Sequence, residues 1–148
     1  MDRRIKQGRT LQRVRTIEER TAAQEATRAA NELDACNREH EARLEELREL
    51  NQDVRGRAEQ GMSMAQFMRF QHLREIQEDA VARADVEARQ AGQQLTECKG
   101  ELRDAVTHRR AADKWLDASV ERWRVEQRRD QQKSTDDQNC LRAAGVRG

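Results

Sequence analysis

Apolar or small side chains return at steps of about three and four residues along this chain, stop once, and resume. The first run is Leu11, Val14, Ile17, Ala22, Ala26, Ala29, Leu33, Cys36, His40, Leu44, Leu47, Val54 and Ala58. The second is Phe67, Phe70, Leu73, Ala80, Ala84, Ala88, Ala91, Leu95, Cys98, Leu102, Val106, Ala112, Leu116, Val120 and Trp123. An α-helix turns once in about 3.6 residues, so each run marks one face of a helix. The face is narrow, with the width of a coiled-coil seam rather than that of a helix packed into a globule. Each helix therefore needs another long helix beside it, and the short interruption makes the two antiparallel neighbours. The fold class that follows is all-α, a long two-helix antiparallel coiled-coil hairpin.

Composition agrees with the period. The 148 residues contain no proline, 39% are charged and only 3% are aromatic, which leaves too little bulk for a broad globular core. Alanine, glutamate, arginine and glutamine are good helix formers, and a chain rich in them with a sustained apolar period is neither a strand former nor a typical disordered chain.

The interruption itself is readable. Gly61 can take the left-handed conformation that ends a helix without steric cost. Ser63 followed by Gln66 makes a capping box, in which the Ser63 hydroxyl accepts from the Gln66 amide and the Gln66 side chain reaches back, and Met62 with Phe67 occupies the positions of a hydrophobic staple. The expected organisation is an antiparallel coiled coil over 1–133, with a helix over about 8–58, a turn over about 59–63 and a helix over about 64–133. Gly56 is an alternative fraying point for the first helix, and Gly92 and Gly100 lie inside the second. From Ser134 to Asn139 the apolar period is lost, and 134–148 is expected to be a frayed or disordered tail.

Nothing in the chain points to catalysis. There is no phosphate-binding glycine loop, zinc-ligand spacing or nucleophile elbow, and a two-helix coil offers no enclosed concavity. No catalytic residue, metal ligand or cofactor is expected. His40, His72 and His108 are scattered, and Cys36, Cys98 and Cys140 read as reduced thiols, since a hairpin turning at Gly61 separates Cys36 from Cys98 by roughly 18 Å along the axis. No apolar run is long enough to span a bilayer or act as a signal core, so a cytoplasmic protein is expected.

The formal charge of +1 is small, but its distribution is uneven: residues 1–20 carry seven basic and three acidic side chains, and residues 31–60 carry five basic and nine acidic. A hairpin would bring the basic start near Arg122, Arg124, Arg128 and Arg129, giving a basic open end and an acidic turn half. Acidic residues interleaved along the second helix argue against nucleic-acid binding. The four aromatic residues fall as two pairs, Phe67 with Phe70 and Trp115 with Trp123. One of each pair is expected to fill the seam and the other to meet a partner.

The string GMSMAQFMRFQHLREI around the turn and the opening string LQRVRTIEERTAAQEA resemble the FliJ family of flagellar type III protein-export proteins, over roughly residues 10–130. The resemblance implies a non-catalytic stalk, similar to the central stalk of rotary ATP synthases, with its open end in the pore of the hexameric export ATPase. Its turn half would reach the cytoplasmic domain of the export-gate membrane protein, and export chaperones are further implied partners. Carried over by position, Gly61 and Met62 form the gate-facing tip, with Phe67, Phe70, Gln71 and Leu73 the motif positions around it. By topology, Leu11, Val14, Trp115, Trp123 and Arg124 fall at the ATPase-facing end. The protein would be a monomer, associated with the inner-membrane export gate only through its partners. A generic coiled-coil scaffold or adaptor is the alternative.

Overall fold

The computed structural model describes the backbone of residues 2–147 and the side chains of residues 2–145. It contains two helices and, among the described residues, no strand: α1 is Arg3–Gln60 and α2 is Met64–Arg147. They pack against each other as a two-helix hairpin.

Gly61, Met62 and Ser63 separate the helices. Gly61 has φ of +98°, the left-handed region that only glycine adopts without strain, and its amide donates to the Ala58 carbonyl at 3.3 Å. The capping box is present in both directions: the Gln66 amide donates to Ser63 Oγ at 3.2 Å, and the Ser63 amide donates to Gln66 Oε1 at 3.2 Å. At the other end of α1, Asp2 is the N-cap, its Oδ1 accepting from the Arg4 amide at 3.2 Å. The helix thus begins five residues before the expected start near residue 8, because Asp2 caps it and Ile5 gives it a buried anchor.

Contacts divide the chain into two compact units, a turn unit of 22–102 and a terminal unit made of the residues before Ala22 with those from Arg103 on. In the turn unit the buried seam is Ala22, Ala26, Ala29 and Leu50 from α1 with Ala84, Ala88, Ala91 and Cys98 from α2. Leu95 and Leu102 pack against the cluster of Ala26, Ala29 and Cys98, and a Cβ added at Gly92 would meet Leu33 Cδ1 at 3.9 Å. Phe67 and Leu73, read from the sequence as seam residues, are instead exposed, since they flank rather than lie on the line through Phe70, Gln77 and Ala84.

In the terminal unit the seam departs from the expected one. Leu11, Val14 and Ile17 are exposed, and the buried or half-buried positions of α1 are Ile5, Gly8, Gln12, Arg15, Thr16 and Glu19. The reason is geometric. Two consecutive steps of three each fall about 60° short of a full turn, so Leu11 and Ile17 lie roughly 120° apart around the helix. Counting back from Ala22 by alternating threes and fours gives Glu19, Arg15, Gln12, Gly8 and Ile5 instead. Ile5, at 2% exposure, is the most buried apolar residue among the described residues.

This seam has a polar layer. Arg109 Nε donates to Glu19, its Nη1 donates to Asp113 Oδ2 at 2.7 Å, and Gln12 Nε2 donates to Asp113 Oδ1 at 2.8 Å. Thr16 Oγ1 donates to the Gln12 carbonyl at 2.8 Å. The hydrogen bond to Glu19 and that carboxylate's charge push the Arg109 guanidinium above its ordinary pKa range. On either side the seam returns to apolar packing, with Ala105, Ala112 and Leu116 buried.

The second helix does not stop at Lys133. It continues through Arg147, over most of the segment expected to fray, and every side chain from Glu126 to Gly145 is exposed. Good helix formers and the absence of proline let it run on, with local support from Gln132 Nε2 donating to Asp136 Oδ1 at 3.2 Å. Gly148, the last residue of the expected tail, lies outside the described residues.

Three substitutions test these assignments. Gly61→Ala should lower stability by about 1 kcal/mol, whereas Gly56→Ala, in helical backbone with nothing within 4 Å, should raise it by up to about 1 kcal/mol. Urea unfolding followed by circular dichroism reads both, and shifts of the same sign would refute the turn assignment. Arg109→Leu leaves Glu19 and Asp113 without their shared cation. Amide hydrogen exchange should then quicken in residues 5–21 and 103–116 and stay unchanged in 26–33 and 91–98.

Candidate partner-binding surfaces

The first turns of α2 carry apolar side chains that the seam does not use. Met64 is 73% exposed, Met68 65% and Phe67 43%, while Leu73 and Ile76 are exposed on another side of the same helix. Positions 64, 67 and 68 are neighbours by helical spacing and form one surface. Phe70 turns the other way and is half-buried, with the Arg57 guanidinium 5.5 Å from its ring centroid and Arg57 Nε donating to Asp53 Oδ1 at 3.3 Å. Met62 and Gln71 are half-buried, and Gly61 is exposed. The candidate tip residues thus divide: Phe67 and Leu73 are accessible, and Phe70 and Gln71 are partly covered. Flexible, polarisable methionines suit a surface that adapts to a partner, and Met64, Met68 and Ile76 were not singled out from sequence because they fall off the apolar period.

The candidate residues of the terminal unit lie on different faces. Trp115 is 44% exposed and rests on Gly8: a Cβ added there would come within 2.6 Å of Trp115 Cζ3 and 3.0 Å of Leu116 Cδ1. Glycine is needed because the indole occupies the space of a side chain. Trp123 is half-buried and, with Ile5, Arg9, Val120 and Arg124, lines a groove of about 410 Å³. Arg124 is exposed, its Nη1 4.0 Å from Glu121 Oε2. Leu11 and Val14 belong to a separate shallow groove of about 430 Å³, lined also by Arg3, Lys6, Gln7 and Thr10. The structure therefore does not gather these five candidates into one site.

The turn unit has a groove of about 520 Å³ lined by Glu25, Arg28, Ala29, Glu32, Gln94, Cys98 and Glu101. Within it Gln94 Nε2 donates to Cys98 Sγ at 3.6 Å. The Cys36 thiol is pushed above its ordinary pKa by desolvation and by the Glu32 carboxylate, so little of it is thiolate at neutral pH. All three cysteines are free. Among the described residues no group of histidines, cysteines or carboxylates could hold a metal ion, and no helix is long and apolar enough to cross a membrane.

The family model described as the flagellar FliJ protein matches residues 7–147, taking in both units and the turn. The chain belongs to the FliJ family. It is thus a flagellar export-related component, of a family that is structural rather than enzymatic. Comparison with curated proteins gave no match, and comparison with solved structures gave none either.

The Gly8 contact gives a spectroscopic test in this FliJ-family chain. In a Trp123→Phe background, Gly8→Ala should displace the Trp115 indole, shift its fluorescence to longer wavelength and cost about 1–3 kcal/mol of stability. Unchanged emission would mean that Trp115 does not rest on Gly8.

Proposed function

We propose that this protein is a non-catalytic stalk component of the flagellar protein-export apparatus, coupling the hexameric export ATPase to the export gate and taking part in the recycling of export chaperones. The observation that carries this reading is the family match over 7–147 on a two-helix hairpin. The terminal unit is the ATPase-facing part, through Leu11, Val14, Trp115, Trp123 and Arg124. The turn unit meets the cytoplasmic domain of the gate's membrane protein through Gly61, Met62, Phe67, Phe70, Gln71 and Leu73.

Three features support the division. Exposed methionines and Phe67 beside the turn give an apolar surface that the fold does not need, and half-exposed Trp115 gives an anchor in the terminal unit. α1 and α2 each run unbroken through both units, so a change of contact in one has a continuous backbone through which to act on the other. The working state is a monomer in the cytoplasm, held near the inner membrane by its partners.

Capture of purified export ATPase and of the gate's cytoplasmic domain on the immobilised protein tests the reading. Phe67→Asp with Met68→Asp should reduce gate capture at least tenfold and leave ATPase capture and helix content unchanged, because both side chains are exposed. If neither protein is captured and light scattering gives a self-associated species, the coiled-coil scaffold reading replaces this one.

A further inference from the structure

Leu11, Val14 and Ile17 do not serve the seam of their own hairpin, although their side chains are as apolar as those that do. Ile17 is 61% exposed and Val14 45%, on a face of α1 turned away from Ile5, Gly8 and Glu19. The groove beside them is open and shallow, about 430 Å³, with Leu11, Val14 and the aliphatic stems of Arg3 and Lys6 on its walls. No carboxylate lines it.

The charge around this face is unbalanced. Of the three acidic residues before Thr21, Asp2 caps the helix, Glu18 is paired with Arg15 at 3.0 Å and Glu19 is engaged by Arg109. Arg3, Arg4, Lys6, Arg9, Arg13 and Arg20 have no carboxylate partner among the described residues. Arg3, Arg4 and Lys6 also stand in the first turn of α1, which carries no acidic residue, where the helix dipole disfavours positive charge. Their placement works against the helix that bears them.

We propose that this face of α1, from Arg3 to Ile17, is a docking surface for an amphipathic helix with an apolar spine and glutamate or aspartate flanks, which lies along α1 as a third helix. Helical spacing of the three apolar residues matches ridge-and-groove packing by another helix, and carboxylates on its flanks would meet the unpaired arginines and Lys6. Three aliphatic side chains without an aromatic residue are too small an apolar face for a membrane-surface helix. Nucleic acid would make no use of Val14 and Ile17. The proposal rests on the export reading only in treating the terminal unit as a partner surface, and it specifies the chemistry of what binds there.

Fluorescence anisotropy with the full chain and a labelled 21-residue helical peptide, leucine at its heptad core positions and glutamate on its flanks, tests it. The same peptide with lysine flanks, vesicles of phosphatidylserine and phosphatidylcholine, and duplex DNA serve as the other arms. The glutamate peptide should bind at least tenfold more tightly than the lysine peptide. Val14→Ser with Ile17→Ser should weaken it at least tenfold, with melting unchanged since both side chains are exposed. Arg3→Glu with Lys6→Glu should do the same with melting unchanged or raised, because acidic residues suit a helix start. Equal binding of both peptides, binding that survives the serine variant, or tighter retention by vesicles or DNA would overturn the proposal. ATPase capture separates the two readings: peptide binding without it sinks the export stalk alone, and capture without peptide binding sinks the docking surface alone.

Discussion

The structure depends on keeping small residues in step on two helices. In the turn unit most buried positions are alanine, and the core cluster is two alanines and a cysteine with two leucines laid against it. Burial stabilises by about 25 cal/mol per Å² of apolar surface, so an alanine layer contributes much less than a leucine layer. Helix propensity offsets this, because alanine is the best helix former. A hairpin of this kind is held by many weak layers, and no single one dominates. The design favours local opening over rigid global cooperativity.

The polar layer sharpens this in the terminal unit. Arg109, Glu19, Asp113 and Gln12 satisfy one another across the seam, but an apolar layer of the same volume would bind the helices at least as well. What the polar residues add is registry. Sliding α1 by one helical turn would separate Glu19 from Arg109 and Gln12 from Asp113, and it would drive a side chain into the indole of Trp115, which only Gly8 accommodates. Attraction and exclusion thus fix the same alignment, with the charged network setting it and the glycine forbidding alternatives.

How much was legible in the sequence follows from the same residues. The turn could be read almost atom by atom, because Gly61, Ser63 and Gln66 act through backbone geometry that requires no knowledge of tertiary packing. The alanine seam from Ala22 to Ala29 and from Ala84 to Ala112 was equally open, since apolarity and period agree there. Before Ala22 they disagree. The seam positions are Gln12, Arg15 and Glu19, and the apolar residues lie elsewhere, so following hydrophobicity led to Leu11, Val14 and Ile17. Extending the period backward would have found Ile5 and Gly8. The partners of the polar residues lie some ninety to a hundred positions away in sequence and could not be read locally. Among the candidate partner residues, the aromatic ones drew attention by scarcity, while Met64 and Met68 carried no comparable mark.

The end of α2 illustrates a different limit. From Glu126 to Gly145 no side chain is covered, and a separate peptide of that length and polarity would form little helix in water. The cost in an isolated helix lies mainly in its first turn, whereas each later residue adds one hydrogen bond for one fixed pair of dihedrals. Here the first turn is already made, because α2 is packed as far as Val125. Residues beyond it need only propagate a helix, which Gln131, Gln132 and Lys133 do readily, and Thr135 Oγ1 bonds back to the Gln131 carbonyl at 2.9 Å without interrupting it. Loss of apolar period marks the end of packing. It marks the end of a helix only where a breaker coincides with it, as Gly61 does and Ser134 does not.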